Sequence, residues 1–346
     1  MNETREQRIG TLLSDEPAFR MRQAHEAIYL PRFRSWSDVS SLPKVLRERL
    51  ATEVSWSTLS NVAVLHSAAG DSWKALFETF DGNRIESVLM RNGRGQFTVC
   101  VSTQVGCAMN CAFCATGKMG LIRNLTRDEI VDQVRSLRDF VADSKLDGEI
   151  TNVVLMGMGE PLANYEEVRE ALRILTGSME IGPTRITVST VGLLPGLRRL
   201  LSDPLWPPVR LAVSLHAADE RTRNAIMPST ARGFLDDLVA WSQEYADAFP
   251  EKRRHLTLEY LLLSDRNDTE EDARKLVSLS RRIGRVRVNL IPYNATDSGL
   301  VGSSGNVIHR FKDRLEAAGV TVTIRKSMGG DIAAACGQLA GKSQKY

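Results

Sequence analysis

An alternation of strand-like and helix-like segments from residue 97 onward is the feature that most constrains how this chain can fold. Apolar strand-like runs recur at residues 97–103, 151–157, 185–190, 209–214, 256–263 and 286–291, with helix-like segments between most of them. Strands that alternate with helices form a parallel sheet, because each helix returns the chain to the same edge. Six such strands fit an incomplete barrel as well as an open doubly wound sheet, and periodicity leaves both open.

Local signals refine this pattern at three places. Thr126 and Glu129 have the spacing of a capping box and predict a helix start, and another helix is expected to start at Asn164. A last strand is expected at residues 320–324, ahead of a tail of small residues that carries Cys336.

The N-terminal part differs from this pattern. Residues 16 to about 55 are predicted to be helical, with interruptions at Pro31 and Pro43. Basic and aromatic side chains that suit RNA phosphates and bases are interleaved here: Arg20, Arg22, Arg32, Arg34, Lys44, Arg47 and Arg49 with Phe19, Tyr29, Phe33 and Trp36. A solvated amphipathic helix pair explains the same pattern equally well.

A β-hairpin is predicted after these helices. Two strand-like runs, residues 73–80 and 85–90, flank a turn at 81–83 that has glycine at its centre. Glu86 lies on the second strand of this hairpin.

Composition sets broad limits on the protein class. The chain has 346 residues, of which 42% are hydrophobic and 25% charged, and its net charge is +3. This balance is typical of a globular protein, and so small a positive charge permits an RNA partner without identifying one. No apolar run approaches bilayer-spanning length and the start lacks the apolar core of a signal peptide, so we expect a cytoplasmic protein without a membrane partner.

Three of the five cysteines are crowded into one loop. Cys107, Cys111 and Cys114 have the spacing C-x-x-x-C-x-x-C directly after a predicted strand. Three thiolates on a short loop can bind three irons of a cubane cluster and leave the fourth iron open to an outside ligand. A structural zinc site normally needs four protein ligands, and the other cysteines are the nearby Cys100 and the distant Cys336. Zinc and incidental buried cysteines remain the alternatives.

Other polar residues follow neighbouring strands. Gly159 and Glu160 offer bare backbone and a carboxylate that could receive an ammonium group and a ribose, although such a glycine-rich segment is more often a tight turn. His216 also follows a strand, where a core or capping histidine is the ordinary interpretation. Ligands of parallel α/β sheets collect at these carboxyl ends of strands.

The cysteine spacing resembles that of the radical S-adenosylmethionine (SAM) superfamily. Several further segments resemble the RlmN/Cfr family of ribosomal RNA methyltransferases, in the family's order along nearly the whole chain: residues 100–107, 124–126, 156–161, 214–216 and 334–341. The resemblance implies an incomplete (β/α)6 radical SAM barrel of the α/β class. It also implies three parts: an N-terminal helical and β-hairpin accessory domain for RNA (1–92), the barrel core (93–326) and a C-terminal catalytic tail (327–346).

The same resemblance implies the cofactors and their ligands. A [4Fe-4S] cluster is expected on the cysteines of the loop, and S-adenosyl-L-methionine, two molecules per turnover, is expected on the open iron. The residues implied for cofactor binding are Gly159, Glu160, Ser189, Ser214, Leu215, His216 and Asn294.

Three catalytic residues are implied by the resemblance as well. Cys336 would receive a methyl group from the first cofactor molecule, and the carbon of that group would then add to the adenine ring. Cys100 would release the product by forming a transient disulfide with Cys336. Glu86 would accept the ring proton.

The implied substrate is adenosine 2503 of 23S ribosomal RNA, modified at C2, with tRNA as a further substrate and a protein such as flavodoxin as electron donor. Methylation of C8 of the same base, as in antibiotic-resistance enzymes, is the alternative within the family. A radical enzyme that does not methylate would leave Cys100 and Cys336 unexplained. From another class, a non-catalytic iron–sulfur protein that binds RNA would need neither thiol.

Overall fold

A computed structural model describes residues 3–249 and 255–340, in which twelve strands form two sheets. The strands are β1 (Leu59–His66), β2 (Ser72–Thr79), β3 (Arg84–Arg91), β4 (Phe97–Cys100), β5 (Gln104–Cys107), β6 (Gly120–Asn124), β7 (Ile150–Leu155), β8 (Ile186–Thr190), β9 (Arg210–Ser214), β10 (Leu256–Leu262), β11 (Val286–Pro292) and β12 (Thr321–Ile324).

Ten α-helices accompany them within the same described ranges. They are α1 (Arg5–Leu12), α2 (Ala18–Tyr29), α3 (Lys44–Glu53), α4 (Arg127–Asp143), α5 (Tyr165–Thr176), α6 (Leu194–Ser202), α7 (Glu220–Ile226), α8 (Phe234–Ala248), α9 (Glu270–Ile283) and α10 (Gly305–Ala317). In this part of the chain, no helix has the length and apolar character needed to span a membrane.

The order of the parallel strands decides between the two sheet types. Strands β4, β7, β8, β9, β10, β11 and β12 are neighbours in chain order, and each neighbouring pair is parallel. A doubly wound sheet would reverse this order at a switch point, whereas crossovers that all advance in one direction curl a sheet into a barrel. The expected incomplete barrel is therefore confirmed, and β12 adds a seventh parallel strand to the six.

The local signals are also confirmed. Thr126 is the N-cap of α4 and forms a complete capping box with Glu129. Asn164 is the N-cap of α5, after a short 3-10 turn. The predicted strand 97–103 is shorter than expected, because β4 ends at Cys100 and the chain then turns into a separate hairpin of β5 and β6.

The predicted hairpin is formed by β2 and β3, but it is continuous with the barrel sheet. Strand β3 pairs antiparallel with β4, so that Val88 lies opposite Cys100. Side chains of β2 and β3, including Phe77 and Leu89, belong to the same hydrophobic core as the barrel strands. The helices α1 to α3 instead enclose a core of their own around Trp36 and Leu50. A domain boundary at residue 92 stays a prediction.

A buried charge cluster fastens the N-terminal helices to α4. The side chain of Asp132 is fully buried and accepts hydrogen bonds from Arg5, from Arg135 and from the backbone nitrogen of Thr58. Burial alone would raise the pKa of Asp132, but the charges of Arg5 and Arg135 lower it to about 2. The backbone nitrogen of Arg5 also donates to Asp128 over 2.9 Å.

Arg5→Met should loosen this attachment strongly. Removing one partner of a buried ion pair costs about 3–5 kcal/mol, because the remaining charges lose their compensation. Amide hydrogen exchange in α1 and α2 should report this as a lower free energy of opening. Arg8→Met, which changes an exposed arginine on the same helix, serves as the control. Equal protection in the two variants would contradict the role given to Arg5.

Candidate active site

Cys107 is the last residue of β5, and Cys111 and Cys114 lie on the loop that joins β5 to β6. We call residues 107–114 the cysteine loop. Two hydrogen bonds fix this loop: the backbone nitrogen of Ala112 donates to the carbonyl of Ile226 over 2.8 Å, and that of Cys114 donates to Cys111 over 3.1 Å. The hairpin below it requires Gly106, whose φ is +77°, because a Cβ there would lie 1.9 Å from the carbonyl oxygen of Gly120. The loop is thus held over the carboxyl ends of the barrel strands.

One cavity, which we call the central pocket, brings together most of the predicted site residues. The strand ends, the cysteine loop and the tail each contribute to its wall. It is lined by Cys107, Cys111, Cys114, Gly159, Glu160, Ser189, Ser214, His216, Glu259, Arg325 and Cys336, among others. The expectation that these polar residues meet at one end of the sheet is therefore correct.

The raised pKa values of Cys107 and Cys111 suit a site that is completed by iron. Burial raises the pKa of Cys107 to about 11. It also raises the pKa of Cys111, with smaller contributions from Cys114 and Cys107. Such thiols become thiolates when a cation compensates the charge.

The number of thiols on this segment suits a cubane cluster. Cys107, Cys111 and Cys114 all line the central pocket. In a cubane each cysteine binds a different iron, so the sulfur atoms need not converge on one point. The loop therefore fits a [4Fe-4S] cluster.

Gly159 and Glu160 form a rigid wall of the central pocket. Gly159 has a φ of +102°, and a Cβ there would lie 2.7 Å from the backbone nitrogen of Gln104, so a side chain is excluded. The carboxylate of Glu160 accepts hydrogen bonds from the backbone nitrogens of Leu162 (2.9 Å) and Val191 (2.8 Å). Burial raises the pKa of Glu160. These bonds fix the carboxylate and leave lone pairs on its oxygens for a ligand.

The ends of β8 and β9 supply a further part of the wall. The hydroxyl oxygens of Ser189 and Ser214 are 3.4 Å apart. His216 accepts a hydrogen bond at Nδ1 from the backbone nitrogen of Leu261, and burial, aided by the charge of Arg223, lowers its pKa to about 3. The imidazole ring of His216 is therefore uncharged at neutral pH. The side chain of Leu215 is buried in the core and does not line this pocket.

A neighbouring cavity, the tail pocket, contains the two remaining cysteines. Its lining includes Cys100, Asn294, Arg325 and Cys336, so that Cys336 and Arg325 line both this pocket and the central one. Burial raises the pKa of Cys100 to about 12, with a smaller contribution from Cys336. The Cys336 side chain is exposed at the pocket surface. The charge of Arg325 acts to lower the pKa of both thiols. The structure describes all five cysteines, and each is a free thiol.

The tail that carries Cys336 is docked on the cysteine loop. The backbone nitrogen of Ala115 donates to the carbonyl of Gly337 over 2.7 Å, and the hydroxyl of Thr116 donates to that of Leu339 over 2.6 Å. The backbone nitrogen of Ala340 donates to Oε2 of Glu86 over 2.9 Å. Gly341, the last residue of the family-like segment, lies outside the described residues.

Glu86 lines a third cavity, the outer pocket, which has a volume of about 380 Å³ and adjoins the docked tail. Its carboxylate pairs with Lys74, whose Nζ lies 3.2 Å from Oε1. The structure thus places Glu86 beside the tail rather than in the central pocket.

Three charged residues around these pockets were missed by sequence reasoning. Glu259 is the single charge of β10, Lys74 is one of two charges in β2 with Glu78, and Arg325 directly follows β12. Glu259 is buried and accepts a hydrogen bond from Asn289 over 2.9 Å, and its other oxygen lies 3.9 Å from Arg325. A single charge within an apolar strand is the signal that identifies Glu259, and no such signal exists for Lys74 or Arg325.

Comparison with known families agrees with this geometry. The model of the radical SAM superfamily matches residues 101–279, which include the cysteine loop and strands β5 to β10. The match confirms the expected [4Fe-4S] cluster and S-adenosylmethionine as the cofactors of this chain.

Individual proteins match over nearly the full length. The dual-specificity RNA methyltransferase RlmN of Anaeromyxobacter dehalogenans is 43% identical, over 97% of this chain and 90% of its own length. The enzyme of the same name from Desulfotalea psychrophila is 41% identical, over 94% of this chain and 90% of its own. The crystal structure of a radical SAM methyltransferase from Sphaerobacter thermophilus superposes with a TM-score of 0.90 at 40% identity, covering 98% of each chain. The chain therefore belongs to the RlmN family of radical SAM RNA methyltransferases and is an enzyme of that kind.

Proposed function

We propose that this enzyme methylates C2 of adenosine 2503 in 23S ribosomal RNA, with tRNA as a further substrate. The observation that carries the proposal is the position of Cys336, which lines one pocket with the cysteine loop and another with Cys100. A thiol so placed can take a methyl group on one side and be attacked by a second thiol on the other. Such a route suits a ring carbon that is electron-poor and has no nucleophilic character.

The residues of the central pocket are proposed to hold the cofactors. Cys107, Cys111 and Cys114 would ligate the cluster. The cofactor would bind against Gly159, Glu160, Ser189, Ser214 and His216, with the backbone around Leu215 and the side chain of Asn294 completing the site. With both groups bound, the site supplies a transferable methyl group and, after one-electron reduction by a donor such as flavodoxin, a carbon-centred radical.

Cys336 and Cys100 then act in different covalent steps. The Cys336 thiolate accepts the methyl group. That carbon would lose one hydrogen atom to the carbon-centred radical and would then bond to the adenine ring. The adduct would lose its ring proton to Glu86 and return one electron to the cluster, which offsets the electron that generated the radical. Cys100 attacks the Cys336 sulfur. A disulfide forms, the sulfur–carbon bond breaks, and its electron pair stays with the carbon, which takes up a proton to become the product methyl group.

The disulfide in this scheme is transient, and a cellular dithiol would reduce it before the next turnover. The charge of Arg325, which acts on both thiols, favours their thiolate forms.

The N-terminal helices are proposed as the main RNA-binding surface, within the accessory domain 1–92 that precedes the barrel core (93–326) and the tail (327–346). Arg22, Arg32 and Arg49 are exposed there, and 45% of the Phe19 surface is accessible. Exposed guanidinium groups pair with phosphates, and an exposed ring can stack on a base.

Replacing Arg22, Arg32 and Arg49 together by Ala should lower the affinity for RNA. It should also make that affinity less dependent on the salt concentration. Each lost phosphate contact reduces the slope of log K against log salt by about 1. Filter binding across a salt series measures both effects. Substitution is preferable to truncation at residue 90, which would remove three strands of the main sheet. The control variant replaces three exposed arginines of α9 and α10: Arg274, Arg310 and Arg314. An equal loss of RNA affinity in that variant would exclude the N-terminal helices as the RNA-binding surface.

Mass spectrometry of adenosines from treated ribosomal RNA tests the proposed target carbon. Reconstituted enzyme with cofactor and reductant should yield a nucleoside that coelutes with synthetic 2-methyladenosine. A product that coelutes with 8-methyladenosine would instead establish the alternative of C8 methylation. Unmodified adenosine in both RNA substrates, 23S ribosomal RNA and tRNA, would contradict the proposal.

A further inference from the structure

Lys74 forms a buried ion pair with Glu86 on the neighbouring strand. In the register of β2 and β3, Lys74 lies opposite Val88, so Glu86 is its diagonal neighbour on the same face of the sheet. The Nζ–Oε1 distance is 3.2 Å, and each side chain is 2% exposed. Burying two charges gains little stability over apolar residues of similar volume, so the pair calls for a functional explanation.

The pair borders a cavity rather than solid core. Lys74 and Glu86 both line the outer pocket, together with Lys118, Gln338 and Ala340. Its volume of about 380 Å³ lies in the range of small-ligand sites. A ligand in this pocket would therefore reach the carboxylate directly.

The docked tail contacts both members of the pair. Oε2 of Glu86 accepts the hydrogen bond from the backbone nitrogen of Ala340, while Lys74 Nζ donates to the carbonyl of Ala333 over 3.4 Å. The two bonds lie on either side of Cys336 in the sequence. The carboxylate is thus held at one oxygen by Lys74 and at the other by the tail that carries the methyl group.

We propose that Lys74 is a positioning residue that aims the Glu86 carboxylate at the target carbon while the tail is docked. The inference rests on the proposed function, in which Glu86 takes the ring proton. In that step the carbon–hydrogen bond breaks, the proton moves to the carboxylate, and the electron pair stays with the adduct. The ammonium group of Lys74 holds the carboxylate in place before the transfer. Because Lys74 and Glu86 both bind the tail, the base is in place when Cys336 carries the adduct.

Lys74→Met should therefore act at one late step. It should retain the cluster, the methylation of Cys336 by added cofactor, and formation of the covalent protein–RNA species. Resolution of that species should slow at least tenfold, as in Glu86→Gln. The double variant should be no slower than Glu86→Gln alone, and Lys74→Arg should restore part of the rate. Lys312→Met, which changes a partly exposed lysine on α10 outside the three pockets, is the control.

Two measurements distinguish a wrong role for Lys74 from a wrong role for Glu86. Intact-protein mass reports methylation of Cys336, and denaturing gels report formation and decay of the covalent species. Normal resolution in Lys74→Met beside a blocked Glu86→Gln would overturn the role of Lys74 alone. Normal resolution in Glu86→Gln would overturn the proposed base, and this inference with it. Loss of the cluster or of Cys336 methylation in both Lys74 variants would also overturn the inference, since it would show a general structural role.

Discussion

Cys336→Ala and Cys100→Ala should fail at different steps, although each removes one thiol. Cys336→Ala has no sulfur to accept the first methyl group, so the RNA should stay free and unmodified. Cys100→Ala keeps that sulfur, which lines the central pocket with the cysteine loop. It should be methylated and should add to the base, but it lacks the thiolate that releases the product. RNA attached covalently to the protein should therefore accumulate.

The attached RNA should appear as a slow-migrating species that survives denaturation and disappears on protease treatment. The double variant, which lacks both thiols, should return to free RNA, because no adduct can form without Cys336. Free RNA with full turnover in Cys100→Ala would show that this thiol is merely a buried strand residue.

The second large effect concerns the cluster. Alanine at Cys107, Cys111 or Cys114 should abolish iron binding, because each thiolate holds one iron of the cubane. Anaerobically purified protein should otherwise contain about four irons and four sulfides per chain, the composition of a [4Fe-4S] cluster. Iron and sulfide analysis and the visible absorption of the cluster measure this.

Cys100→Ala and Cys336→Ala are the matched controls and should retain the cluster. Cys336→Ala is the stricter control, because this thiol lines the central pocket together with the three loop cysteines and is therefore placed where a fourth ligand would lie. Loss of iron in Cys336→Ala would mean that the tail supplies a ligand, and its role as methyl carrier would then be wrong.

The barrel could be predicted because its elements carry strong local signals. Buried parallel strands are continuous apolar runs, and α4 begins at a capping box that the sequence displays directly. The β5–β6 hairpin could not be predicted. Its strands are four and five residues long, one of them is mostly exposed, and its geometry depends on the close approach of Gly106 to Gly120. The continuity of β3 with β4 is likewise a tertiary pairing without a local signal.

The residues of the site also fall into those that the sequence predicts and those that it does not. Residues after strands, such as Glu160 and His216, could be assigned to one pocket because parallel strands share a carboxyl edge. The contacts of the tail could not, since hydrogen bonds from Ala340 to Glu86 and from Ala115 to Gly337 join segments far apart in sequence. Lys74 and Arg325 are likewise identified only by tertiary contacts, Lys74 with Glu86 and Arg325 with Glu259.

The origin of the methyl carbon in the first product tests the central claim most directly. Enzyme whose Cys336 already carries an unlabelled methyl group is mixed with RNA, reductant and cofactor labelled with ¹³C in its methyl group, and is allowed a single turnover. Mass spectrometry then compares labelled with unlabelled methyladenosine. We predict an unlabelled carbon in the first product, because the group comes from Cys336 and the added cofactor only supplies the radical. A labelled carbon in that first product would show direct transfer from the cofactor to RNA and would contradict the account.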